Sequence, residues 1–273
     1  MVARVNGSFA TSAVPGTRFA DVRWVAETGS TNRDLLEAAA GGAAEGLVLV
    51  ADHQTAGRGR LDRSWIAPPG ASLLASVLLR PSLVPEDLFL LTLGCAVAAI
   101  DAVEEVTGVG LALKWPNDLV VAVGPLADRK VAGVLAESLV ADGAVSAVVI
   151  GMGLNLQWPN DLPVEIAATA TSVNHLSDVP VDREAVLVTW LGRYEEILDG
   201  ISEEAGRSRL LTEVRTRSAT IGREVRIQNA TDSFDARALA IDDSGHLIIE
   251  RDGSEVVVTV GDVVHARVLP PRT

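Results

Sequence analysis

The chain has 273 residues, 48% of them hydrophobic and 22% charged, so it can bury a large core and is not expected to be disordered. Its formal net charge of −13 at pH 7 disfavours general binding to nucleic acid, whose backbone is also negative. A single cysteine, Cys95, excludes an intramolecular disulfide, and the lack of a signal peptide or a membrane-length apolar stretch predicts a cytoplasmic protein.

The first part of the chain is predicted to contain an arm, a strand and a short helix. Residues 1–20 are predicted to be a poorly ordered arm, and a strand follows at residues 22–27. Ser30 or Thr31 can cap a helix over residues 35–40, and the glycines that follow the helix are its stop signal.

The middle of the chain is predicted to form a sheet with one long helix. A buried strand is expected at residues 46–51, and residues 53–64 are expected to be a loop because they hold Gly, Arg and Asp without an apolar period. The elements that follow are a strand at 71–79, a helix from Pro85 to about residue 106, and strands at 111–115, 119–123, 130–140 and 144–150.

The last part of the chain is predicted to be two helices and a small β domain. The helices are expected at residues 183–198 and 202–215. Beyond a boundary near residues 218–221, short alternating strands separated by polar turns predict a small β-barrel. The predicted organisation is therefore an arm at 1–20, a large domain at 21–218 and a small domain at 219–273.

The loop within residues 54–65 (QTAGRGRLDRSW) carries the clearest chemical signal. It holds Arg58, Arg60 and Arg63 with two glycines, in a chain that is otherwise acidic. Glycines let the backbone approach a ligand, and guanidinium groups donate paired hydrogen bonds to phosphate or carboxylate. These residues predict an anion-binding loop that closes over its ligand, and a solvated basic loop without a ligand is the alternative.

A second segment favours a ligand. Lys114, Asn117 and Asp118 come at a strand end, where Pro116 imposes an extended or turn geometry on its neighbour. Lys130 begins the next strand, so its ammonium group is held by a rigid element. Two lysines, an amide and a carboxylate therefore predict a polar site.

A third segment follows the strand that is predicted to end at residue 150. Gly151 and Gly153 flank a methionine there. Asn155 is predicted to lie just beyond the strand end, where its amide can bond the edge of a purine.

Five stretches together resemble the catalytic region of biotin–protein ligases. They occur in the family's order and are GSTN at 29–32, QTAGRGR at 54–60, KWPND at 114–118, KVAGVLAE at 130–137 and GMGLN at 151–155. The resemblance implies an α+β fold, with a mixed, mainly antiparallel sheet flanked by helices in a class II synthetase-like catalytic domain. It also implies that the small C-terminal domain is an SH3-like β-barrel.

The resemblance further implies which residues bind biotin and ATP. The implied biotin-binding residues are Ser30, Thr31, Asn32, Gln54, Gly57, Arg58, Lys130 and Gly133. The implied ATP-binding residues are Arg60, Arg63, Trp65, Asn117, Asp118, Lys130 and Asn155, with Trp65 packing on the adenine. Among these, the implied catalytic residues are Lys130, Arg60 and Asp118.

The implied activity is a two-step biotinylation. Biotin and ATP, accompanied by Mg²⁺, give biotinyl-5′-AMP and pyrophosphate, and biotin then passes to a lysine of the biotin carboxyl carrier protein of a carboxylase. A lipoate-type acyl ligase on the same fold and a non-catalytic biotin-binding module are the alternatives. Cys95 lies on an apolar helix, which is a poor position for the nucleophile of a thioester-based transferase.

Other partners are constrained more weakly. About twenty residues precede the first predicted strand, which is too few for a helix-turn-helix domain, so no DNA binding is expected. An edge of the sheet could support a homodimer, but no residue requires one. The histidines at 175, 246 and 265 share no metal-ligand spacing, so no zinc site is expected, and His53 and Trp115 are expected to be structural.

The basic loop departs from the family pattern at Asp62, where the family commonly has glycine. Aspartate tolerates a positive φ better than most residues, but at a cost, and its carboxylate lowers the net attraction of the arginines for phosphate. We therefore expect Asp62→Gly to change how firmly the loop retains an adenylate.

Overall fold

The computed structural model describes residues 14–60, 63–162, 164–228, 233–259 and 265–268. In residues 265–268 and at Glu165 it describes the backbone alone. Within these ranges, no helix is both long enough and apolar enough to cross a membrane.

The described elements follow the predicted order closely. The strands are β1 (Asp21–Thr28), β2 (Leu47–Gln54), β3 (Ser72–Leu79), β4 (Leu111–Lys114), β5 (Asp118–Val121), β6 (Lys130–Ala141), β7 (Ala144–Asn155), β8 (Glu224–Gln228), β9 (Ser233–Ile241), β10 (Leu247–Arg251), β11 (Ser254–Val258) and β12 (His265–Val268). The helices are α1 (Thr31–Ala40), α2 (Phe89–Thr107), α3 (Val164–Ala167), α4 (Arg183–Gly200) and α5 (Glu204–Thr216), with short 3-10 turns at Pro85–Asp87 and Val173–His175.

The first seven strands form one mixed sheet in the order β1-β2-β3-β7-β6-β5-β4. β1 and β2 are parallel, and α1 provides the crossover that a parallel pair needs. The other neighbours in this sheet are antiparallel. The predicted mixed, mainly antiparallel sheet flanked by helices is confirmed.

The two faces of this sheet pack against different helices. On β2, Val48 and Val50 belong to the larger core cluster with α2 and α4, whereas Leu49 belongs to a smaller cluster with α1. Successive strand residues point to opposite faces, so an apolar run on β2 supplies both clusters. α2 is buried along most of its length because α4 and α5 cover it on the side away from the sheet.

The segment before β1 is packed. Phe19 is fully buried and stacks on Tyr194 with ring centroids 6.1 Å apart. Arg18 forms ion pairs with Glu45, Glu195 and Asp199 at 2.6 to 2.9 Å. The prediction of a poorly ordered arm was therefore wrong for this part, because one aromatic ring and one guanidinium group anchor it. Residues 1–13 of the predicted arm lie outside the described ranges.

The C-terminal strands form a second, antiparallel sheet in the order β11-β10-β9-β8-β12. This small sheet fits the predicted SH3-like domain. The residues around it contact the rest of the chain at several places: for example, the Trp115 indole N–H donates to the carbonyl of Gly245 at 2.9 Å, and Arg223 pairs with Asp128 at 2.8 Å.

β7 differs most from its prediction, since it continues to Asn155 instead of ending at residue 150. Its glycines interrupt the apolar pattern that marks a strand. β7 nevertheless continues through these glycines, because β3 stays paired with it as far as Ser72 opposite Asn155.

Candidate active site

A cleft on the α1 face of the large sheet collects the predicted residues, and its empty volume of about 950 Å³ includes the part that opens to solvent. Of the predicted biotin-binding residues, those that line it are Ser30, Thr31, Asn32, Gln54, Arg58, Lys130 and Gly133. Of the predicted ATP-binding residues, those that line it are Arg60, Arg63, Trp65, Asn117, Asp118 and Lys130.

A buried polar network forms one end of the cleft, at the start of α1. Gln54 Oε1 accepts hydrogen bonds from the backbone N–H of Thr31 at 2.8 Å and from its hydroxyl at 3.1 Å. The Thr31 and Ser76 hydroxyl groups lie 2.7 Å apart, and Ser76 donates to Asn32 Oδ1 at 2.6 Å. Ser30 precedes the helix but makes no capping bond through its side chain. Gln54 therefore accepts a hydrogen bond from an otherwise unpaired backbone N–H at the start of α1. It also holds these polar side chains together as one wall of the cleft.

Ser76 was not among the predicted site residues. It lies on β3 with no exposed surface, in a strand whose other residues are mostly apolar. A buried hydroxyl needs a hydrogen-bond partner, so a serine between apolar neighbours in a buried strand is the signal that could have indicated it.

The basic loop is a hairpin. The Trp65 N–H donates to Gly57 O at 2.9 Å, Arg58 and Ser64 form an isolated antiparallel bridge, and the Gly59 N–H donates to Arg63 O at 2.6 Å. A β-carbon on Gly57 would lie 2.5 Å from the Trp65 carbonyl oxygen. The hairpin can therefore close at its base only with glycine at residue 57. Gly57 does not line the cleft itself but an adjoining groove, together with Arg58 and Glu137.

Leu61 and Asp62 lie outside the described residues. The prediction about Asp62 and loop closure therefore stays a prediction.

Positive charge gathers at the opposite end of the cleft. Arg60 Nη1 lies 3.5 Å from Asn117 Oδ1. Burial lowers the pKa of the Arg60 guanidinium from its usual value, the Asp118 carboxylate opposes this, and the nearby Arg63 adds to it. The group remains a cation at neutral pH. A partly desolvated cation beside a second one favours an anionic ligand between them.

Lys130 and Asp118 form an ion pair of 2.7 Å between Nζ and Oδ1. The pair spans two adjacent strands, since Asp118 on β5 lies opposite Gly133 on β6. The backbone of Lys130 is also bonded on its other side, to Thr169 and Thr171. Rigid elements therefore hold the lysine, as the sequence predicted.

Two glycines make room for the indole of Trp65 in the cleft. Gly133 and Gly153 lie opposite each other on β6 and β7. A β-carbon on Gly133 would lie 3.2 Å from Cζ3 of the ring, and one on Gly153 would overlap Cε2 and lie 2.7 Å from Cζ2. Lys130 Nζ is 5.3 Å from the ring centroid. The indole N–H of Trp65 is buried and has no hydrogen-bond partner among the described residues.

Asn155 is not among the residues that line the cleft. It is the last residue of β7, 1% exposed, and its Nδ2 donates to Thr171 O at 3.0 Å. Ser72 donates to its Oδ1 at 3.4 Å. The prediction that Asn155 lies beyond the strand end was wrong, because the strand continues and the segment at Thr171 covers the side chain. Its contact with adenine stays a prediction.

The remaining residues of the second motif also lie at the cleft. Lys114 and Pro116 line it, and the bond between Trp115 and Pro116 is cis. Trp115 is 1% exposed and packs edge-on against Phe89, which confirms its expected place in the core.

Cys95 is fully buried in α2, and burial raises the pKa of its thiol far above the usual value. Its expected role as a core thiol is confirmed. The cleft thus combines a polar wall with a cationic end that also holds the carboxylate of Asp118.

The matched families agree with this geometry. Residues 25–155 match the Biotin/lipoate A/B protein ligase family, and residues 220–266 match the Biotin protein ligase C terminal domain. The fold and the cleft therefore define a ligase of the biotin and lipoate class.

Similar proteins narrow the class. The chain is 40% identical over 259 residues to a biotin--[acetyl-CoA-carboxylase] ligase of Mycobacterium tuberculosis, covering 92% of this chain and 91% of that one. It is 33% identical to the enzyme of the same name from Paracoccus denitrificans, covering 88% of this chain and 98% of that one. The chain belongs to the biotin protein ligase family.

A solved structure has the same architecture. The biotin protein ligase from Aquifex aeolicus in complex with biotin and ATP superposes with a TM-score of 0.78 at 27% identity, covering 92% of this chain and 100% of that one.

Proposed function

We propose that this chain activates biotin with ATP and transfers it to a lysine of a carrier protein. One observation carries the proposal: a buried polar wall and a cationic end share one cleft, which Lys130 also lines. The wall offers matched donors and acceptors for a neutral fused ring, and the cationic end suits a carboxylate beside a phosphate.

In the first step a biotin carboxylate oxygen forms a bond to the α-phosphorus of ATP, and the bond to the pyrophosphate oxygen breaks. Two anionic groups meet in this step. Lys130 and Arg60 lower the repulsion and stabilise the charge that develops on the phosphoryl oxygens. The product is the mixed anhydride biotinyl-5′-AMP, and closure of the basic loop keeps water away from it.

In the second step the neutral amine of the carrier lysine attacks the acyl carbon, and AMP leaves. Asp118 lies at the cleft, 2.7 Å from Lys130. We assign it two tasks: it orients Lys130 in the first step, and it accepts a proton from the incoming amine in the second.

The residue assignments belong to the proposal. Ser30, Thr31, Asn32 and Gln54 bind the biotin rings, with the backbone at Gly57 and Arg58 beside them and Gly133 beside the valeryl chain. Arg60, Arg63, Asn117, Asp118 and Lys130 bind the phosphate side. The buried, unpartnered indole N–H of Trp65 supports its role in holding the nucleotide.

Mg²⁺ is proposed to enter with ATP. Among the described residues, no group of three or more His, Cys, Asp or Glu side chains can hold a metal ion. A magnesium ion held mainly by phosphate and water needs only one or two carboxylates, and Asp118 is the candidate in this cleft. When bound, the ion would supply positive charge to neutralise the leaving pyrophosphate.

The names of the two related ligases support the biotin carboxyl carrier protein of a carboxylase as the carrier. We also propose that residues 21–218 form the catalytic domain and residues 219–273 the small domain, which the start of the matched C-terminal family at residue 220 supports. A chain that uses ATP and a carboxylase subunit is proposed to act in the cytoplasm.

The test is pyrophosphate release on mixing the purified protein with biotin and ATP, followed by labelling of a carrier domain. Biotin should support both reactions and lipoate neither. If lipoate supports labelling better than biotin, the substrate assignment is wrong. If biotin binds but no pyrophosphate appears, the chain is a binding module and the enzymatic proposal fails.

A further inference from the structure

Glu137 lies on β6 just beyond the cleft, and neither proposed step uses it. It is on the same face as Gly133 and Leu135, which line the cleft, because residues two apart on a strand share a face. Its register partner on β7 is Val149, under α1. The side chain is 23% exposed.

Both carboxylate oxygens of Glu137 are engaged. Oε1 lies 3.0 Å from Arg58 Nη1, and Oε2 accepts from Arg58 Nη2 at 3.1 Å. Oε2 also accepts from Asn32 Nδ2 at 2.8 Å. Surface ion pairs contribute little in general, but a paired arginine–carboxylate contact with a third, partly buried bond is the exception.

The third bond connects the loop to the polar wall. Asn32 also donates to Leu135 O at 3.2 Å and accepts from Ser76 at 2.6 Å, and Ser76 lies 2.7 Å from Thr31. A continuous set of hydrogen bonds therefore runs from the first arginine of the basic loop to the residues proposed to bind biotin.

Arg58 holds a special position in the loop. It pairs with Ser64 at the base of the hairpin, whereas Arg60 and Arg63 lie at the tip. A contact at the base controls the angle at which the whole hairpin leaves the sheet.

We propose that Glu137 is a positioning residue that clasps the base of the basic loop to the biotin side of the cleft, so that the loop retains the adenylate. The inference rests on the proposed function, since it concerns the intermediate of that reaction. Glu137 touches no reacting atom. It acts through Arg58 and Asn32.

A first experiment needs no ligand. Trypsin cleaves after arginine, and the loop offers Arg58, Arg60 and Arg63. In Glu137→Gln the paired contact is lost, so cleavage in the loop, located by mass spectrometry, should be roughly tenfold faster, as expected for a larger open population. Glu137→Asp should cleave at an intermediate rate. Equal rates for wild type and Glu137→Gln overturn the clasp.

A second experiment measures the adenylate. Pyrophosphate release should change little in Glu137→Gln, whereas dissociation of biotinyl-5′-AMP and labelling of free lysine should rise roughly tenfold, or about 1.4 kcal/mol. Arg58→Gln, alone or combined with Glu137→Gln, should give the same increase, because residues that act as one unit are not additive. Independent, additive effects contradict the inference.

The matched control is Glu105→Gln. Glu105 pairs with Arg193 at 2.9 Å between α2 and α4, outside the cleft, so its loss should leave both readouts unchanged. Melting temperatures of all variants separate a folding defect from a loop effect. If the wild-type protein releases no pyrophosphate, the proposed function fails, whereas the trypsin result still decides whether Glu137 holds the loop.

Discussion

The indole of Trp65 fills the space that a β-carbon at Gly153 would need, so that such a carbon would overlap ring atom Cε2. The contact places an aromatic ring from the basic loop over the end of β7. It therefore links the nucleotide side of the cleft to the loop.

Gly153→Ala should displace this ring. Overpacking of a tight site typically costs about 1–3 kcal/mol, so the KM for ATP should rise roughly ten- to a hundredfold. Steady-state pyrophosphate release at varied ATP measures it. Gly192→Ala is the control, because a β-carbon on Gly192 in α4 has nothing within 4 Å. An unchanged KM in Gly153→Ala would show that the ring position is unimportant for ATP.

Lys130→Met should abolish most of the first step. The substitution keeps much of the side-chain length but removes the positive charge that faces Asp118 at 2.7 Å. Loss of one such preorganised group lowers a rate about 10²–10³-fold. A single-turnover pyrophosphate assay checks this. A rate within twofold of wild type would remove Lys130 from the mechanism.

Asp118→Asn separates the two tasks assigned to that carboxylate. The amide is nearly the same size, so Lys130 keeps a hydrogen-bond partner but loses its counter-ion. We expect a loss of roughly tenfold in adenylation and a larger loss, on the order of 10²-fold, in transfer from preformed biotinyl-5′-AMP, because a missing general base affects only transfer. Normal transfer with slowed adenylation would show that Asp118 only orients Lys130.

Trp115→Phe should weaken the junction between the two sheets. The substitution removes the bond from the indole N–H to Gly245 O, which is worth about 1 kcal/mol, and leaves that carbonyl unsatisfied. The urea midpoint should fall and the KM for ATP should rise. Trp24→Phe is a matched control, since the indole N–H of Trp24 has no hydrogen-bond partner among the described residues. Equal destabilisation by both substitutions would argue that the bond is not the cause.

The sequence predicts most of the large sheet because its strands are apolar runs with clear turn signals. It fails where another element supplies the decisive contact. β7 extends to Asn155 because β3 pairs with it, and Phe19 is ordered because Tyr194 stacks on it. Neither partner is near in the chain.

The residues of the candidate site likewise fall into those that the sequence identifies and those that it misses. Motif residues such as Lys130 and Arg60 are identifiable because charged groups near glycines are unusual in an apolar chain. Ser76 and Glu137 were missed as site residues because one is a buried serine between apolar neighbours in a strand and the other an ordinary surface carboxylate by type. Their importance depends on distances that a single sequence does not contain.

The bond between Trp115 and Gly245 joins groups 130 residues apart in the chain. On the ribosome, the strands and loops that line the cleft emerge well before the turn that holds Trp115 from behind. A nascent chain can therefore contain all the proposed biotin- and ATP-binding side chains and still lack one support of the cleft. The last support of the cleft therefore forms only once the residues of the small C-terminal sheet are being made.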